Sequence, residues 1–292
     1  MRASLLVLFL LQLNTCAAQP SQVFGTAPPR NNLAIDPNVA LHSMAVGDFN
    51  LQYAEAGEMG RPTIVFVHGT PGSWRSLGRL FASAELGRQA RLISIDRPGW
   101  GGSPLKNKET EGSFAAQVEL IEPLLRKLKA ESGDQPLILV GHSYGASISP
   151  YIAYKHPELV DGLLMAAGAI DPDLGKPRWY NWAASVWPIS SLINPRLGKA
   201  NVEIWGVHEA LKTLEPWWQT VSIPMIYMQG EEDELVHPRN LDFAEDFLPK
   251  ENTRVIRIPN QGHLVHRQQG ELIARLALEL LSATQQTTAV AD

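Results

Sequence analysis

The sequence has 292 residues and one cysteine, Cys16. With no second thiol, an intramolecular disulfide framework is excluded. Basic clusters are equally scarce. The longest is Arg126–Lys129, which sits in an amphipathic helical pattern and reads as a solvated face, and the formal net charge is −5. No electrostatic footprint for nucleic acid is present, so no nucleic-acid partner is expected. Beyond the first 18 residues no segment is long and apolar enough to cross a bilayer. There is no internal repeat. The glycines of Gly99–Gly102 fit neither the dinucleotide fingerprint nor a phosphate loop. His263 and His266 lie three apart without further clustered ligands, so neither a metal nor a cofactor is expected.

Hydrophobic residues make up 45% and charged residues 19%, ordinary for a folded globular chain with room for a sizeable core. The first 18 residues differ in kind. Arg2 precedes a short apolar run, Leu5–Leu13, and then Cys16, Ala17 and Ala18. This reads as a secretory signal peptide, which predicts an exported, periplasmic or secreted protein. A second reading makes Cys16 the lipid-bearing residue of a lipobox-like Leu13–Cys16, although Thr15 departs from the small residues usual before such a cysteine. Membrane association is expected only if Cys16 is lipidated. Residues 19–42, rich in Pro, Asn, Ser and Gln, read as a flexible lead-in.

From residue 43 to 284 the pattern is that of one domain. Met44–Gly57 reads as a hairpin turning at Gly47–Asn50. Continuous apolar runs follow at Thr63–Gly69, Arg91–Asp96, Pro136–Ser143, Gly162–Ile170, Pro224–Gly230 and Thr253–Asn260. Such runs suit strands buried on both faces. Helical patterns separate them: Trp74–Leu86, Gly112–Lys129, a stretch after Ser143 with Pro150 inside as an expected kink, Leu241–Phe247, and a final one from Arg267. Residues 285–292 are expected to fray. Alternating strands and helices predict an α/β fold, a mostly parallel eight-stranded sheet covered on both faces.

The alternation pauses at about 171–223. This stretch holds six of the eight tryptophans: Trp179, Trp182, Trp187, Trp205, Trp217 and Trp218. An insertion at a strand's C-terminal end lands over the edge where open α/β sheets bind ligands. It is expected to form a helical cap, with Trp179, Trp182, Trp187 and Trp205 lining an apolar substrate pocket. The competing reading is that these rings glue the cap to the core.

Ser143 sits in "GHSYG", between a buried strand and a helix, where a nucleophile elbow would place a reactive serine. The flanking glycines let the chain pass close by while the side chain projects. A serine hydroxyl needs a base, and the base needs an orienting acid. His263, in "NQGH" directly after the last apolar run, is the first candidate base, with His266 second. Asp233, after Pro224–Gly230, is the first candidate acid, and Asp171 is the alternative. Glu231, Glu232 and Glu234 are read as solvated.

The order Ser143, Asp233, His263, each just past a strand end, resembles the α/β-hydrolase fold family over nearly all of Met44–Ala283. "HGTPGSW" at His68–Trp74 resembles the family's His-Gly loop, and "DRPGWGGS" at Asp96–Ser103 resembles its Asp-x-x-Gly-x-Gly-x-Ser loop. The resemblance implies an oxyanion hole from the backbone N–H groups of Thr70 and Tyr144, and structural roles for His68, Asp96 and Arg97. It implies a serine hydrolase that cleaves an ester or related acyl bond of a small, apolar substrate through an acyl-enzyme. Dehalogenases and epoxide hydrolases of the family carry Asp at the elbow, so Ser143 argues against their chemistry. Carbon–carbon bond hydrolases, aminopeptidases and acyltransferases use the same three residue types. A receptor-like scaffold that binds a ligand without turnover is the non-enzymatic alternative. Nothing in the sequence bears on oligomeric state.

Overall fold

In the computed structural model, which describes residues 39–106 and 112–291, eight strands join in the order β1-β2-β4-β3-β5-β6-β7-β8. They are β1 (Ala40–Val46), β2 (Phe49–Ala56), β3 (Thr63–Val67), β4 (Arg91–Ile95), β5 (Leu137–His142), β6 (Gly162–Ala166), β7 (Met225–Gly230) and β8 (Thr253–Ile258). β1 and β2 form the hairpin, and β2 runs antiparallel to β4. Every other pairing is parallel. The leader, Cys16 and most of the lead-in lie outside the described residues. β1 begins at Ala40, slightly before the position 43 expected for the start of the domain.

The continuous apolar runs are explained by two cores, one on each face. In β3, Val65 and Val67 point to one and Ile64 and Phe66 to the other. β5 divides the same way, with Leu137 and Leu139 against Ile138 and Val140. With period 2 and both faces covered, each position must be apolar. The first core packs under α3 (Phe114–Ser132) and α4 (Tyr144–Lys155). The second packs under α1 (Gly78–Phe81), α2 (Ala84–Gln89) and α10 (Gly270–Ala291).

Some boundaries differ from expectation. Trp74–Leu86 is not one helix. A 3₁₀ turn at Trp74–Leu77 leads into α1, and Ser83 then restarts the chain as the N-cap of α2, its Oγ accepting from Leu86 N. An N-cap serine mid-pattern favours such a break because its side chain satisfies a helix-start N–H. α4 runs unbroken through Pro150. α10 extends to Ala291, past the point where fraying was expected, because neither Gly nor Pro follows Gly270 to stop it.

Between β6 and β7 the chain forms α5 (Trp179–Ser185), α6 (Ile189–Leu192), α7 (Pro195–Leu214) and a 3₁₀ turn at Trp217–Gln219. Asn194 caps α7 by accepting from Arg196 N at 2.9 Å, and Pro195 occupies the first turn, where its missing N–H costs nothing. Later, α8 (Asn240–Phe247) precedes β8 and α9 (Val265–Gln268) follows it. Among the described residues no helix is long and apolar enough to cross a membrane.

Candidate active site

The loops that leave the C-terminal ends of β3, β5, β7 and β8 meet at one edge of the sheet. They carry Thr70, Ser143, Asp233 and His263 respectively. Ser143 occupies the turn between β5 and α4 with φ 56° and ψ −124°, a conformation rare for a residue with a side chain. Its N–H donates to the Ala166 carbonyl at 2.9 Å, and its own carbonyl accepts from Ala146 N at 2.8 Å. Close packing holds this turn. A Cβ on Gly145 would lie 2.0 Å from the Val67 carbonyl oxygen, and one on Gly69 would lie 2.8 Å from Ser143 Cβ. Glycine is needed at both positions so that the β3 loop and the start of α4 can touch.

Asp233 is buried at 2% exposure, whereas Glu231, Glu232 and Glu234 are exposed. Its Oδ1 accepts from the N–H groups of Leu235 and Val236, both at 2.9 Å. Its Oδ2 accepts from Gln229 Nε2 at 3.2 Å and from His263 Nδ1 at 2.8 Å. A carboxylate so held orients the imidazole and keeps its Nδ1 protonated, which leaves Nε2 as the basic nitrogen. Ser143 and His263 line the same cavity. No hydrogen bond joins their side chains among the described residues. Such bonds often tighten only in the substrate complex. Neither alternative candidate makes the Asp233–His263 contact: Asp171 accepts from Asp173 N in a local turn, and His266, although it also lines the cavity, is buried against the His142 ring.

Thr70 and Tyr144 line this cavity too. Among the described residues neither backbone N–H has a hydrogen-bond partner. Tyr144 opens α4, so its N–H is one of the helix-start donors without an intrahelical acceptor, and the α4 dipole favours negative charge there.

The three loop residues read as structural have clear tasks. His68 Nδ1 donates to the Gly69 carbonyl at 2.6 Å and its Nε2 accepts from Arg97 N at 3.1 Å. Burial, helped by the Arg97 charge, holds its pKa well below the usual histidine range, so it stays neutral. Asp96 accepts from Trp74 N, Gly102 N and Gln52 Nε2, tying its own loop to the start of the 3₁₀ turn and to β2. Arg97 donates to the carbonyls of His68 and Gly69, the two residues before Thr70.

Two features were not legible in the sequence. The first is Glu203 of α7, fully buried and paired with Arg97 at 2.6 Å. Trp100 Nε1 and Gln117 Nε2 donate to the same carboxylate, at 3.0 and 3.2 Å, and Arg97 also lies over the Tyr144 ring at 4.2 Å. The cap is therefore bonded to the residues that position Thr70 and Tyr144. The second is a histidine stack. The His142 ring lies 3.7 Å from that of His266 and 4.9 Å from that of His263, and His142 Nε2 donates to the His263 carbonyl at 3.0 Å. Burial lowers the pKa values of two of the three, His142 well below the usual range and His266 to about 3.

The cavity holds about 340 Å³, within the range of small-molecule sites. Leu192, Ile193, Leu197, Ile204 and Val207 supply most of its apolar wall from the cap. The four tryptophans expected there do not line it. Trp179, Trp182, Trp187 and Trp205 are 59, 64, 79 and 43% exposed. Helical phase is the reason. α5 turns Tyr180, Asn181 and Ala184 toward the cavity, so Trp179, Trp182 and the following Val186, spaced i, i+3, i+7, point away. α7 likewise turns Ile204 inward and Trp205 out. Only Trp218 serves as glue in full, at 1% exposure in the core, with Trp217 packed beside it.

A model of the alpha/beta hydrolase family matches residues 64–276. The chain belongs to that family. Among curated relatives, a 1-acylglycerol-3-phosphate O-acyltransferase of Arabidopsis thaliana is 28% identical over 177 residues, 60% of this chain and 41% of that protein. Epoxide hydrolase 4 of Mus musculus is 29% identical over 154 residues, 50% of this chain and 40% of its own length. The chain thus spans about two fifths of these relatives. Among solved structures, a membrane phospholipase A described as a bacterial virulence factor superposes with a TM-score of 0.65 at 20% identity, covering 98% of this chain and 99% of that one. A haloalkane dehalogenase variant from Bradyrhizobium elkanii gives 0.67 at 18% identity, covering 87% and 100%. These structures share the fold.

Proposed function

We propose that this alpha/beta hydrolase is a serine acyl hydrolase that cleaves a carboxylic ester of a small apolar substrate. The observation that carries the reading is the Asp233–His263 hydrogen bond facing the same cavity as Ser143 on its strained turn. His263 Nε2 takes the Ser143 proton as Oγ attacks the substrate carbonyl. The Thr70 and Tyr144 N–H groups receive the oxyanion, each worth roughly a hundredfold or more in rate. His263 then protonates the leaving alcohol, and water, activated the same way, releases the acid. Epoxide and haloalkane opening fits less well, because the elbow residue is Ser143 and not a carboxylate.

The acyltransferase relative supports a second acceptor, an alcohol that intercepts the acyl-enzyme in place of water. The active-site roles are tested with chromogenic short-chain phenyl esters. The wild type is expected to turn over and Ser143→Ala to lose at least about a thousandfold in kcat. Equal rates in the two proteins would end the proposal. Adding a simple alcohol distinguishes the acceptors: ester product with unchanged phenol release marks transfer, and free acid alone marks hydrolysis. The leader-based reading of an exported protein stands as part of this proposal and is checked by fractionating cells that express the full chain.

A further inference from the structure

The outer face of the cap carries more exposed aromatic surface than any other part of the described chain. Trp179 and Trp182 share one side of α5, Val186 and Trp187 follow it, Trp187 at 79% exposure, and Leu192 of α6 is 70% exposed. Trp205 belongs to the same face, because its Nε1 donates to Ser185 Oγ at the end of α5. Large exposed apolar patches on a soluble fold mark an interaction surface.

Charge narrows the choice of partner. The chain as a whole is acidic, with a net charge of −5, yet residues 174–202 contain no Asp or Glu at all. They do contain Lys176, Arg178, Arg196 and Lys199. Lys176 is paired with Asp173, and Lys199 donates to the Gly99 carbonyl, whereas Arg178 and Arg196 are exposed on the rim. Tryptophan with flanking arginine is the composition that settles at a bilayer surface, the indole at the headgroup level and the cation toward anionic lipid. The patch is also continuous with the cavity, since Leu192 belongs to both.

We infer that the tryptophan-rich outer face of the cap docks on an anionic phospholipid surface, with the cavity mouth beside it. Docking of this kind places an acyl chain drawn from the bilayer next to the Leu192 edge. That consequence rests on the acyl-hydrolase reading, but the docking itself does not. The experiment is flotation of the full chain with phosphatidylcholine vesicles made with and without phosphatidylglycerol. Wild type is expected to float with the phosphatidylglycerol vesicles, and Ser143→Ala equally well, whatever the chemistry at Ser143. Trp182→Ser/Trp187→Ser and, separately, Arg196→Glu are expected to bind about tenfold or more weakly. Both variants should hydrolyse a soluble ester at the wild-type rate, because none of the three residues lines the cavity. Met59→Ser, which removes an exposed side chain remote in sequence, should leave flotation unchanged.

Three results would overturn the inference. One is flotation of the double tryptophan variant as strong as wild type, which would assign binding to another part of the chain. Another is equal binding to both vesicle types. The third is a wild type that stays unbound while sedimentation shows a dimer abolished by Trp182→Ser/Trp187→Ser, which would make a second copy the true occupant.

Discussion

Replacing Glu203 by glutamine keeps the volume of the side chain and removes one charge from a site with no exposure to solvent. Arg97, equally buried, would retain the carbonyls of His68 and Gly69 and the Gln117 oxygen as acceptors but lose its counter-ion. Breaking a buried pair in this one-sided way costs about 3–5 kcal/mol, because a charge is left without its partner. Three retained acceptors place the expected value at the lower end, about 3 kcal/mol, a large share of the roughly 5–15 kcal/mol that stabilises a typical domain. Urea unfolding of wild type and Glu203→Gln gives the number directly. Activity should fall as well, and in kcat more than in KM, because Arg97 anchors the loop that presents Thr70. The double variant Arg97→Met/Glu203→Leu separates the two effects. It is expected to regain most of the stability, as apolar replacements of buried pairs often do, and to remain poorly active. A Glu203→Gln protein within about 1 kcal/mol of wild type, the range of a solvated surface pair, would refute the idea that the cap is pinned by this bond.

Acid should destabilise the protein through its buried histidines. His266 is held to about 3 by burial, reinforced by the charges of Arg267, His263 and Arg79, and returns to about 6.5 when the chain unfolds. The unfolded state therefore binds the extra proton, so this stability is full above about pH 6.5 and is lost as the pH falls toward about 3, by up to about 1.4 kcal/mol per pH unit. Urea midpoints measured down this range should fall less steeply in His266→Gln, by about one proton's worth. His68 and His142, shifted the same way, keep some slope. Gly145→Ala should cost about 1–3 kcal/mol or more by overpacking against the Val67 carbonyl, and ester hydrolysis should drop with it. A thermal melt and a rate indistinguishable from wild type would show that the elbow has slack.

The sheet was readable in the sequence because both of its faces are covered. Runs such as Thr63–Val67 and Leu137–His142 then have no exposed position and are almost wholly apolar, and a strand of that kind is hard to confuse with a turn. The elbow was readable for a related reason, since its glycines answer to local backbone contact. That Asp233 and His263 meet could be anticipated because each lies on the loop that leaves a strand end at the same edge of the sheet. The cap resisted the same treatment. Its aromatic content says how much surface is available, and the phase of α5 and α7 decides which way that surface points. One residue of rotation separates Ile204 in the cavity wall from Trp205 outside. Short helices broken by Pro188 and Asn194 carry too few turns for a period to be read. The Arg97–Glu203 pair joins residues 106 positions apart, and no local pattern encodes a contact at that range. The histidine stack likewise depends on how the β5 and β8 loops cross.

The glycines around Ser143 carry one more consequence. Gly145 and Gly69 constrain where the backbone goes, and neither restricts which atoms extend from residue 143 into the cavity. The turn is thus a socket, shaped once, into which different reactive side chains can be fitted. A cysteine or an aspartate at 143 would inherit the same histidine and the same two amide donors without any rebuilding of the frame. Redirecting this protein toward another reaction is then a matter of changing one side chain and reshaping the cap wall, while the elbow itself is left alone.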